Sequence, residues 1–253
     1  MVRIIMERLR QKSRTSGYPH QAVVLPEKYR GLPKINRDAC KTCEDKQCMD
    51  HCPTDALTLD PALSFDLGRC IFCAECTSSC KNGAIGFTND FHLAGRNRRD
   101  LFVTGNELKP VQELENKMLR LFGRSLKLRE VSAGGCNACE ADTNVLNTLF
   151  FDLGRFGIQF VASPRHADGI FITGPVTKNM VLALKKTYAA IPDPKLVIAA
   201  GACAISGGLF RDHPETANGA APIIPVDLYI AGCPPHPFTI LDGLLRLLGK
   251  IAD

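Results

Sequence analysis

Twelve cysteines constrain this chain of 253 residues more than any other feature of its sequence. Eight of them lie between residues 40 and 80, and the other four lie between residues 136 and 233. The sequence has no apolar run long enough to cross a bilayer, and it starts without the apolar stretch of a secretion signal, so we expect a cytosolic protein. Because thiols are kept reduced in the cytosol, the cysteines indicate metal or redox chemistry rather than disulfides.

The first cysteine-rich segment contains an internal repeat. The stretch "CMDHCPTDALTL" at 48–59 returns as "CTSSCKNGAIGF" at 76–87, each with cysteines, a short turn, alanine and an aliphatic residue. The segment has too few large apolar residues to hold a fold by burial alone; they are Leu57, Leu59, Ile71, Phe72, Ile85 and Phe87. Another kind of cross-link must therefore hold it together, and metal clusters would do so.

The spacing of these cysteines indicates the kind of cluster. The second run has two, two and three residues between its cysteines Cys70, Cys73, Cys76 and Cys80, which is the spacing that bacterial ferredoxins use for [4Fe–4S] clusters. In that pattern the last cysteine of each run ligates the other cluster. The rule predicts one ligand set of Cys40, Cys43, Cys48 and Cys80, and a second of Cys70, Cys73, Cys76 and Cys52. Four-thiolate zinc sites are the alternative, but they use two separated pairs and leave the third cysteine of each run unexplained.

Residues 30–90 thus resemble the two-cluster bacterial ferredoxin domain carried by ferredoxin-like subunits of respiratory complex I and of membrane-bound hydrogenases. The upstream stretch "LPEKYRGLPKINRDAC" resembles the entry to that domain. Two features depart from the usual pattern: four residues separate Cys43 from Cys48, and Lys81 stands where a proline normally follows the last cysteine. The longer loop can still reach its iron, and we expect the potential or the exposure of that cluster to differ.

The second half has the pattern of an α/β fold. Apolar segments typical of central parallel strands cover 126–133, 157–162, 169–174, 195–201 and 226–232. They alternate with helical patterns over 144–156, 177–191 and 238–251. Sites in such open sheets gather at the carboxyl ends of the strands. We therefore expect four cysteines that follow strands to meet at one sheet edge: Cys136, Cys139, Cys203 and Cys233.

Four motifs in this half resemble those of the small electron-transfer subunit shared by [NiFe] hydrogenases and complex I. They are "GGCNACEAD", "ITGPVT", "GACAISGGLF" and "IAGCPPHP", and the resemblance covers residues 120–253. It implies that Cys136, Cys139, Cys203 and Cys233 ligate a single [4Fe–4S] cluster, the third of the chain. Burial in a core can explain any one of these cysteines but not all four. Nearby glycines would let the backbone approach the cluster sulfides; they are Gly134, Gly135, Gly201 and Gly232.

Together the two resemblances imply an α+β two-cluster bacterial ferredoxin domain followed by an α/β flavodoxin-like domain with a mainly parallel sheet. The expected divisions are an N-terminal extension at 1–29, the ferredoxin-like domain at 30–90, a linker and helix at 91–119, and the small-subunit domain at 120–253. A helix is predicted to open at Pro110 and to end at Gly123.

Details of the first motif favour the hydrogenase branch of this family. Complex I relatives typically carry adjacent cysteines there, whereas hydrogenase relatives carry two residues between them, as Cys136 and Cys139 do. Glu140 resembles an acidic position implicated in proton traffic in some hydrogenases. A carboxylate stabilised by the positive end of a helix explains Glu140 equally well. His236 is either a hydrogen-bond donor to the cluster or an exposed loop residue.

The resemblance implies a fused iron–sulfur subunit of a membrane-associated, complex I-related [NiFe] hydrogenase of the formate hydrogenlyase type. Three [4Fe–4S] clusters would relay electrons between a soluble donor or its subunit and the nickel site of a separate large subunit like the 49 kDa subunit of complex I. Membrane subunits of the same complex would hold the chain at the cytoplasmic face of the inner membrane. Two alternatives stay open: a relay in a nickel-free or complex I-like assembly linked to quinone, ferredoxin or NADH, and a zinc-binding assembly protein.

The net charge of +5 reflects basic residues concentrated in 1–14 and 96–129. Such runs usually mark a solvated face or a protein contact. Zinc-finger and RNP motifs and aromatic-interleaved basic strips are absent from the sequence, which argues against a nucleic-acid partner. Residues 1–12 have the pattern of a short basic amphipathic helix, and an anionic lipid surface is a further alternative partner for them.

Overall fold

The fold begins with an amphipathic helix and continues into a cysteine-rich region of short elements. The computed structural model describes residues 2–41, 43, 46–59, 62–105 and 107–251. The first elements in chain order are α1 (Val2–Gln11), β1 (Pro33–Ile35), α2 (Arg37–Lys41), α3 (Gln47–Asp50), β2 (Leu57–Leu59), β3 (Leu63–Asp66), α4 (Glu75–Ser78) and β4 (Ile85–Phe87). Strands β1 and β4 form an antiparallel pair, and β2 pairs with β3 in the same sense.

The internal repeat has a structural counterpart in this region. In each copy a short helix is followed by a short strand, α3 by β2 and α4 by β4, and the two helices contact each other. Equivalent backbone amides donate to equivalent sulfurs: Ala56 N lies 3.2 Å from Cys52 Sγ, and Ala84 N lies 3.2 Å from Cys80 Sγ. The two copies therefore present their last cysteine in the same way.

A six-stranded sheet occupies the second half. The remaining elements are β5 (Ala94–Gly95), β6 (Phe102–Val103), α5 (Asn116–Phe122), β7 (Leu126–Ser132), α6 (Ala138–Val145), β8 (Ile158–Phe160), β9 (Gly169–Thr173), α7 (Lys178–Ala190), β10 (Leu196–Ala200), α8 (Ala202–Ser206), β11 (Leu228–Ile230) and α9 (Pro237–Leu247). The sheet has the order β5-β11-β10-β9-β7-β8, and only β5 runs antiparallel to its neighbour. The expectation of an α/β half with a mainly parallel sheet is confirmed.

The five predicted parallel strands are found within a few residues of their expected limits. Strands β9 and β10 are buried at every position. Their apolar side chains face two hydrophobic clusters, one on each side of the sheet. Burial on both faces explains why the sequence of these strands is continuously apolar rather than alternating.

Two predicted helices differ from the observed ones. The helix predicted over 144–156 is instead α6, which ends at Val145, followed by turns and a 3₁₀ turn over Leu153–Phe156. Leu146 and Leu153 both reach the core, and Leu153 N bonds to Leu146 O at 3.0 Å. A closed loop therefore buries the apolar residues that resemble a helical face.

The helix predicted to open at Pro110 begins only at Asn116, although it ends before Gly123 as expected. The residues before it run extended against α9, where Leu114 N bonds to Leu247 O at 3.0 Å. Val111 and Leu114 are buried there. Packing against α9 thus takes the place of the first helical turns.

The segment between the halves takes part in both of them. Strand β5 pairs with β11 of the large sheet, while β6 pairs with β3 of the cysteine-rich region. Arg98 Nη2 lies 2.6 Å from Asp66 Oδ2, an ion pair whose carboxylate is almost fully buried. Ser206 Oγ donates to Gly68 O at 2.8 Å. Backbone pairing and buried polar contacts therefore join the two halves.

A buried carboxylate organises a further polar cluster on α9. Asp242 Oδ1 accepts from the hydroxyl of Tyr18 at 2.6 Å and from Arg246 Nε at 2.9 Å. His92 lies between this carboxylate, at 3.7 Å, and that of Asp90, at 2.5 Å. The hydrogen bond to Asp90 raises the pKa of His92, although burial and the charge of Arg246 oppose the shift.

This raised pKa predicts a pH-dependent contribution to stability. A histidine whose pKa is higher in the folded chain stabilises the fold below about pH 6.5, and the contribution is lost as the pH rises through the folded value. We expect His92→Gln to lower the urea midpoint at about pH 6 and to change it little at about pH 9. His20→Gln, at an exposed histidine outside this cluster, is the control. Equal losses at both pH values would contradict the expectation.

Candidate functional site

The twelve cysteines all lie within the described part of the chain, and they fall into three spatial groups. In the first group Cys48 is buried. Its pKa is raised by burial and then by the neighbouring charges of Cys80, Cys40 and Cys43. Cys80 therefore lies with the earlier run of cysteines rather than with its own sequence neighbours.

The second group forms around two buried thiols, Cys70 and Cys76. Burial raises the pKa of Cys76 to about 11, and the charges of Cys52 and Cys73 add to the shift. The pKa of Cys70 is raised as well, first by burial and then by the charges of Cys76, Cys52 and Cys73. Cys52 thus crosses to the later run. The structure brings together the thiols that the spacing rule assigns to each set, and their binding of iron stays a prediction.

The third group lies where the strands of the large sheet end. Cys203 follows β10 and Cys233 follows β11. Cys136 lies in the connection between β7 and α6, and Cys139 lies in the first turn of α6. Burial raises the pKa of Cys139, and the charges of Glu140 and of the other three thiols raise it further. Cys136 and Cys233 are exposed, whereas Cys139 and Cys203 are half-buried. The group therefore opens on one side at the protein surface.

Two glycines bring the backbone against the sulfurs of this third group. Gly201 has φ +90°, and a Cβ there would lie 2.7 Å from Cys139 Sγ. Gly208 has φ +55°, and its Cβ would lie 2.8 Å from Cys203 Sγ. Of these, Gly201 was expected from the sequence. Gly208 was missed, although it stands in the motif "GACAISGGLF" five residues after the cysteine.

Two of the other expected glycines lie where the backbone turns tightly next to the cysteines. A Cβ at Gly232 would lie 2.2 Å from Pro235 Cα, and one at Gly134 would lie 2.4 Å from the Thr177 side chain. These two glycines allow tight turns next to the cysteines.

The residues present fit iron–sulfur clusters. Each group offers four thiols, the donor type that such clusters require. Backbone amides already point at sulfur, as Phe72 N does at Cys70 Sγ over 3.4 Å. Among the described residues, no three His, Cys, Asp or Glu side chains converge closely enough to hold a single metal ion.

Glu140 is buried at the first turn of α6. Its Oε1 accepts from the Thr173 hydroxyl at 2.6 Å. Burial works against its ionisation, but hydrogen bonds from Ser132 and Thr173 outweigh burial and lower its pKa. Glu130, which the sequence reasoning missed, lies close by with a buried Oε1 that has no hydrogen-bond partner among the described residues. Burial raises the pKa of Glu130, and the charge of Glu140 adds to the shift, so that the pKa reaches about 7.

His236 caps the start of α9 and is half-buried rather than exposed. Its Nδ1 accepts from Phe238 N at 3.2 Å, and its ring stacks on that of Phe238. Burial lowers its pKa. With Nδ1 engaged in this cap, Nε2 is the ring nitrogen left for another partner, and His236 lines a neighbouring cavity.

That cavity separates the second and third thiol groups. Its lining includes Arg30, Phe72, Cys233, Pro235 and His236. Besides burial, the charges of Cys136 and then of Cys73 raise the pKa of Cys233, so the two groups lie close enough to interact. Arg30 Nη1 donates to the carbonyls of Phe72 and Cys73, both at 3.0 Å. A cation therefore stands beside the loop that faces the third group.

Within the described ranges, no helix has both the length and the apolar character needed to cross a membrane.

Comparison with known proteins adds independent findings. Residues 136–247 match the family described as the NADH ubiquinone oxidoreductase 20 Kd subunit. The chain is 40% identical over 150 residues to the probable membrane-bound hydrogenase subunit mbhJ of Pyrococcus furiosus, covering 59% of this chain and 90% of that one.

Two further relatives represent both branches of the resemblance. Identity to formate hydrogenlyase subunit 7 of Escherichia coli is 41% over 141 residues, covering 56% of this chain and 55% of that one. The chain thus spans about half the length of that relative. Identity to an NADH-quinone oxidoreductase subunit of Citrifermentans bemidjiense is 48% over 119 residues, covering 47% of this chain and 69% of that one.

The approach of Gly201 to Cys139 predicts a specific loss. In Gly201→Ala the new Cβ would meet the sulfur, and φ +90° disfavours any side chain. We expect the anaerobically purified variant to hold about four fewer irons of about twelve. Gly86→Ala is the matched control, because a Cβ there meets nothing within 4 Å. Unchanged iron in Gly201→Ala would contradict the expectation that this close approach is needed for the third cluster.

Proposed function

This chain belongs to the family of the 20 kDa subunit of NADH ubiquinone oxidoreductase, and from that membership we propose that it is the iron–sulfur electron-relay subunit of a membrane-associated [NiFe] hydrogenase complex. It is accordingly an oxidoreductase subunit whose catalytic metal lies in a separate large subunit. The relatives named for hydrogenase and formate hydrogenlyase support this choice. The two residues between Cys136 and Cys139, the pattern of the hydrogenase branch, support it as well.

The observation that carries the proposal is the division of twelve cysteines into three groups of four on one chain. When bound, a [4Fe–4S] cluster supplies one-electron chemistry at a potential tuned by its surroundings. The proposed ligand sets are Cys40, Cys43, Cys48 and Cys80; Cys52, Cys70, Cys73 and Cys76; and Cys136, Cys139, Cys203 and Cys233. The sulfurs of Cys52, Cys70 and Cys80 accept hydrogen bonds from the backbone amides of Ala56, Phe72 and Ala84, respectively. These bonds would stabilise the reduced state of the clusters.

The proposed order of the sites follows from their contacts. The set that includes Cys73 lies next to the set that includes Cys233. The set around Cys48 would then be the outermost, facing a soluble donor or its subunit. The exposed sulfurs of Cys136 and Cys233 would face the large subunit, which resembles the 49 kDa subunit of complex I.

Proton transfer and membrane attachment would connect this chain to the other subunits of the complex. Glu140 is the proposed proton relay toward the large subunit, because it is buried, bonded to Thr173 and adjacent to Cys139. Partner subunits in the membrane would hold the chain at the cytoplasmic face. All twelve cysteines of the chain are used by the three proposed sets, so nickel is assigned to the partner.

A nickel-free relay is the second candidate, and the 48% identity to an NADH-quinone oxidoreductase subunit favours it. The nickel content of the purified large subunit decides between the two. Nickel at about one ion per complex supports the hydrogenase, whereas iron without nickel supports the second candidate.

The crossing of Cys52 and Cys80 predicts different outcomes for two neighbouring variants. Cys48→Ala should remove the signal of the cluster held by Cys40 and Cys43. Cys52→Ala, four residues later, should instead remove that of the cluster held by Cys70, Cys73 and Cys76. Electron paramagnetic resonance of dithionite-reduced protein separates the two signals. Loss of the same signal in both variants would overturn the crossed arrangement.

Arg30 predicts a shift in one reduction potential. Its cation beside Cys73 O favours the more negative reduced cluster, so Arg30→Gln should lower that potential by on the order of 30 mV. Lys28→Gln is the control, because Lys28 is another cation that lines the cavity beside Cys233. We expect a smaller shift for it, since only the Arg30 guanidinium of these two is hydrogen-bonded to Cys73 O. Redox titration followed by paramagnetic resonance measures both. Equal shifts would exclude a specific role for Arg30.

A further inference from the structure

Helix α1 exposes its apolar side chains to solvent. None of its residues is buried, and its five large apolar residues are 58% to 74% exposed; they are Val2, Ile4, Ile5, Met6 and Leu9. A helix of ten residues is marginal in water unless its apolar face is covered. The fold thus presents a face that needs a surface outside the chain.

Four of the five apolar side chains of α1 form a stripe with cations on both edges, and Ile4 lies outside this stripe. At about 100° per residue, Val2, Ile5, Met6 and Leu9 fall within an arc of roughly 100°. Arg8 stands at one edge of this arc, and Arg3 and Arg10 stand at the other, by the same spacing. Long basic side chains in these positions can reach outward to charged groups while their stems lie along an apolar layer.

The segment that contains α1 is strongly basic. Residues 2–14 carry five basic side chains against the single acid Glu7. The polar contacts recorded for α1 are local: Arg8 donates to Lys12 O at 2.8 Å, and Gln11 and Arg10 contact Glu7. The cations therefore face solvent and complement an anionic surface.

We propose that α1 binds the surface of an anionic lipid bilayer, lying in the headgroup layer with its apolar stripe toward the acyl chains. Cations on both edges of the stripe meet lipid phosphates in that orientation. This inference does not depend on electron relay, because vesicle binding is measured whether or not the chain transfers electrons.

The connection after α1 fixes how far the anchor lies from the rest of the fold. Ser16 N bonds to Phe150 O at 2.8 Å, and Arg155 donates to Ser16 O and Tyr18 O, both at 2.9 Å. Only residues 12–15 lie between the helix and this attachment, a reach of roughly 14 Å. Lipid-bound α1 would therefore hold the body of the protein directly against the membrane.

Vesicle sedimentation with the full chain, purified anaerobically, tests the proposal. We expect binding to phosphatidylcholine vesicles that contain phosphatidylglycerol to be at least about tenfold tighter than to phosphatidylcholine alone, and to weaken as salt rises. The same anionic vesicles should protect Arg3, Arg8 and Arg10 from trypsin.

Two pairs of variants separate the apolar and charged contributions. Ile5→Ser with Leu9→Ser should weaken binding at least about tenfold, whereas Val24→Ser, at a 94% exposed apolar residue outside α1, should not. Arg8→Gln with Arg10→Gln should weaken binding about tenfold at low salt. Lys185→Gln with Lys186→Gln, on exposed positions of α7, is the matched control.

The melting temperature of the α1 variants should equal that of the unaltered chain, since α1 has no buried residue. The control variants change only exposed side chains, so the same is expected of them. Failure to bind either vesicle would overturn the proposal and assign α1 to a protein partner. Binding that persists in both α1 variants would equally overturn it.

Discussion

The antiparallel pairing of β5 with β11 is the constraint on which the placement of the thiol groups depends. Ala94 pairs with Ile230 in this register, and Ala231 N bonds to Leu93 O at 2.9 Å. Cys233 follows this ladder after only two residues, so its position relative to the cysteine-rich region is set by the pairing. Gly243 permits the arrangement, because a Cβ there would lie 2.9 Å from Ala94 Cβ and would push α9 off the strand.

Polar contacts then fix the orientation of the two halves. The buried carboxylate of Asp66 pairs with Arg98, and Arg211 donates to Thr54 O at 3.2 Å from the other half. An ion pair buried in this way adds little net stability, but breaking it is costly, so it selects one relative placement. The second and third thiol groups are therefore held at a fixed separation within one chain. Two groups on separate proteins would instead have to meet by association.

The sequence predicted the large sheet well because its central strands are buried on both faces, as β9 and β10 are at every position. Strand β5 was not predicted, since Ala94 and Gly95 are a strand only by pairing with β11, far along the chain. The apolar spacing over 144–156 suited a helix, yet a closed loop buries the same side chains. The thiol groups could be expected from spacing and resemblance, but which of them lie side by side depends on tertiary packing that spacing does not encode.

The uneven exposure of the sulfurs determines where damage by air begins. Cys48, Cys70 and Cys76 are buried, whereas Cys136 and Cys233 lie at the surface. Oxidation to sulfenic and higher acids follows accessibility, so we expect Cys136 and Cys233 of an isolated chain to be oxidised before the buried Cys48, Cys70 and Cys76. A subunit that covers this edge early in assembly would act as a shield as well as a redox partner, and the order of association would govern how much intact protein accumulates.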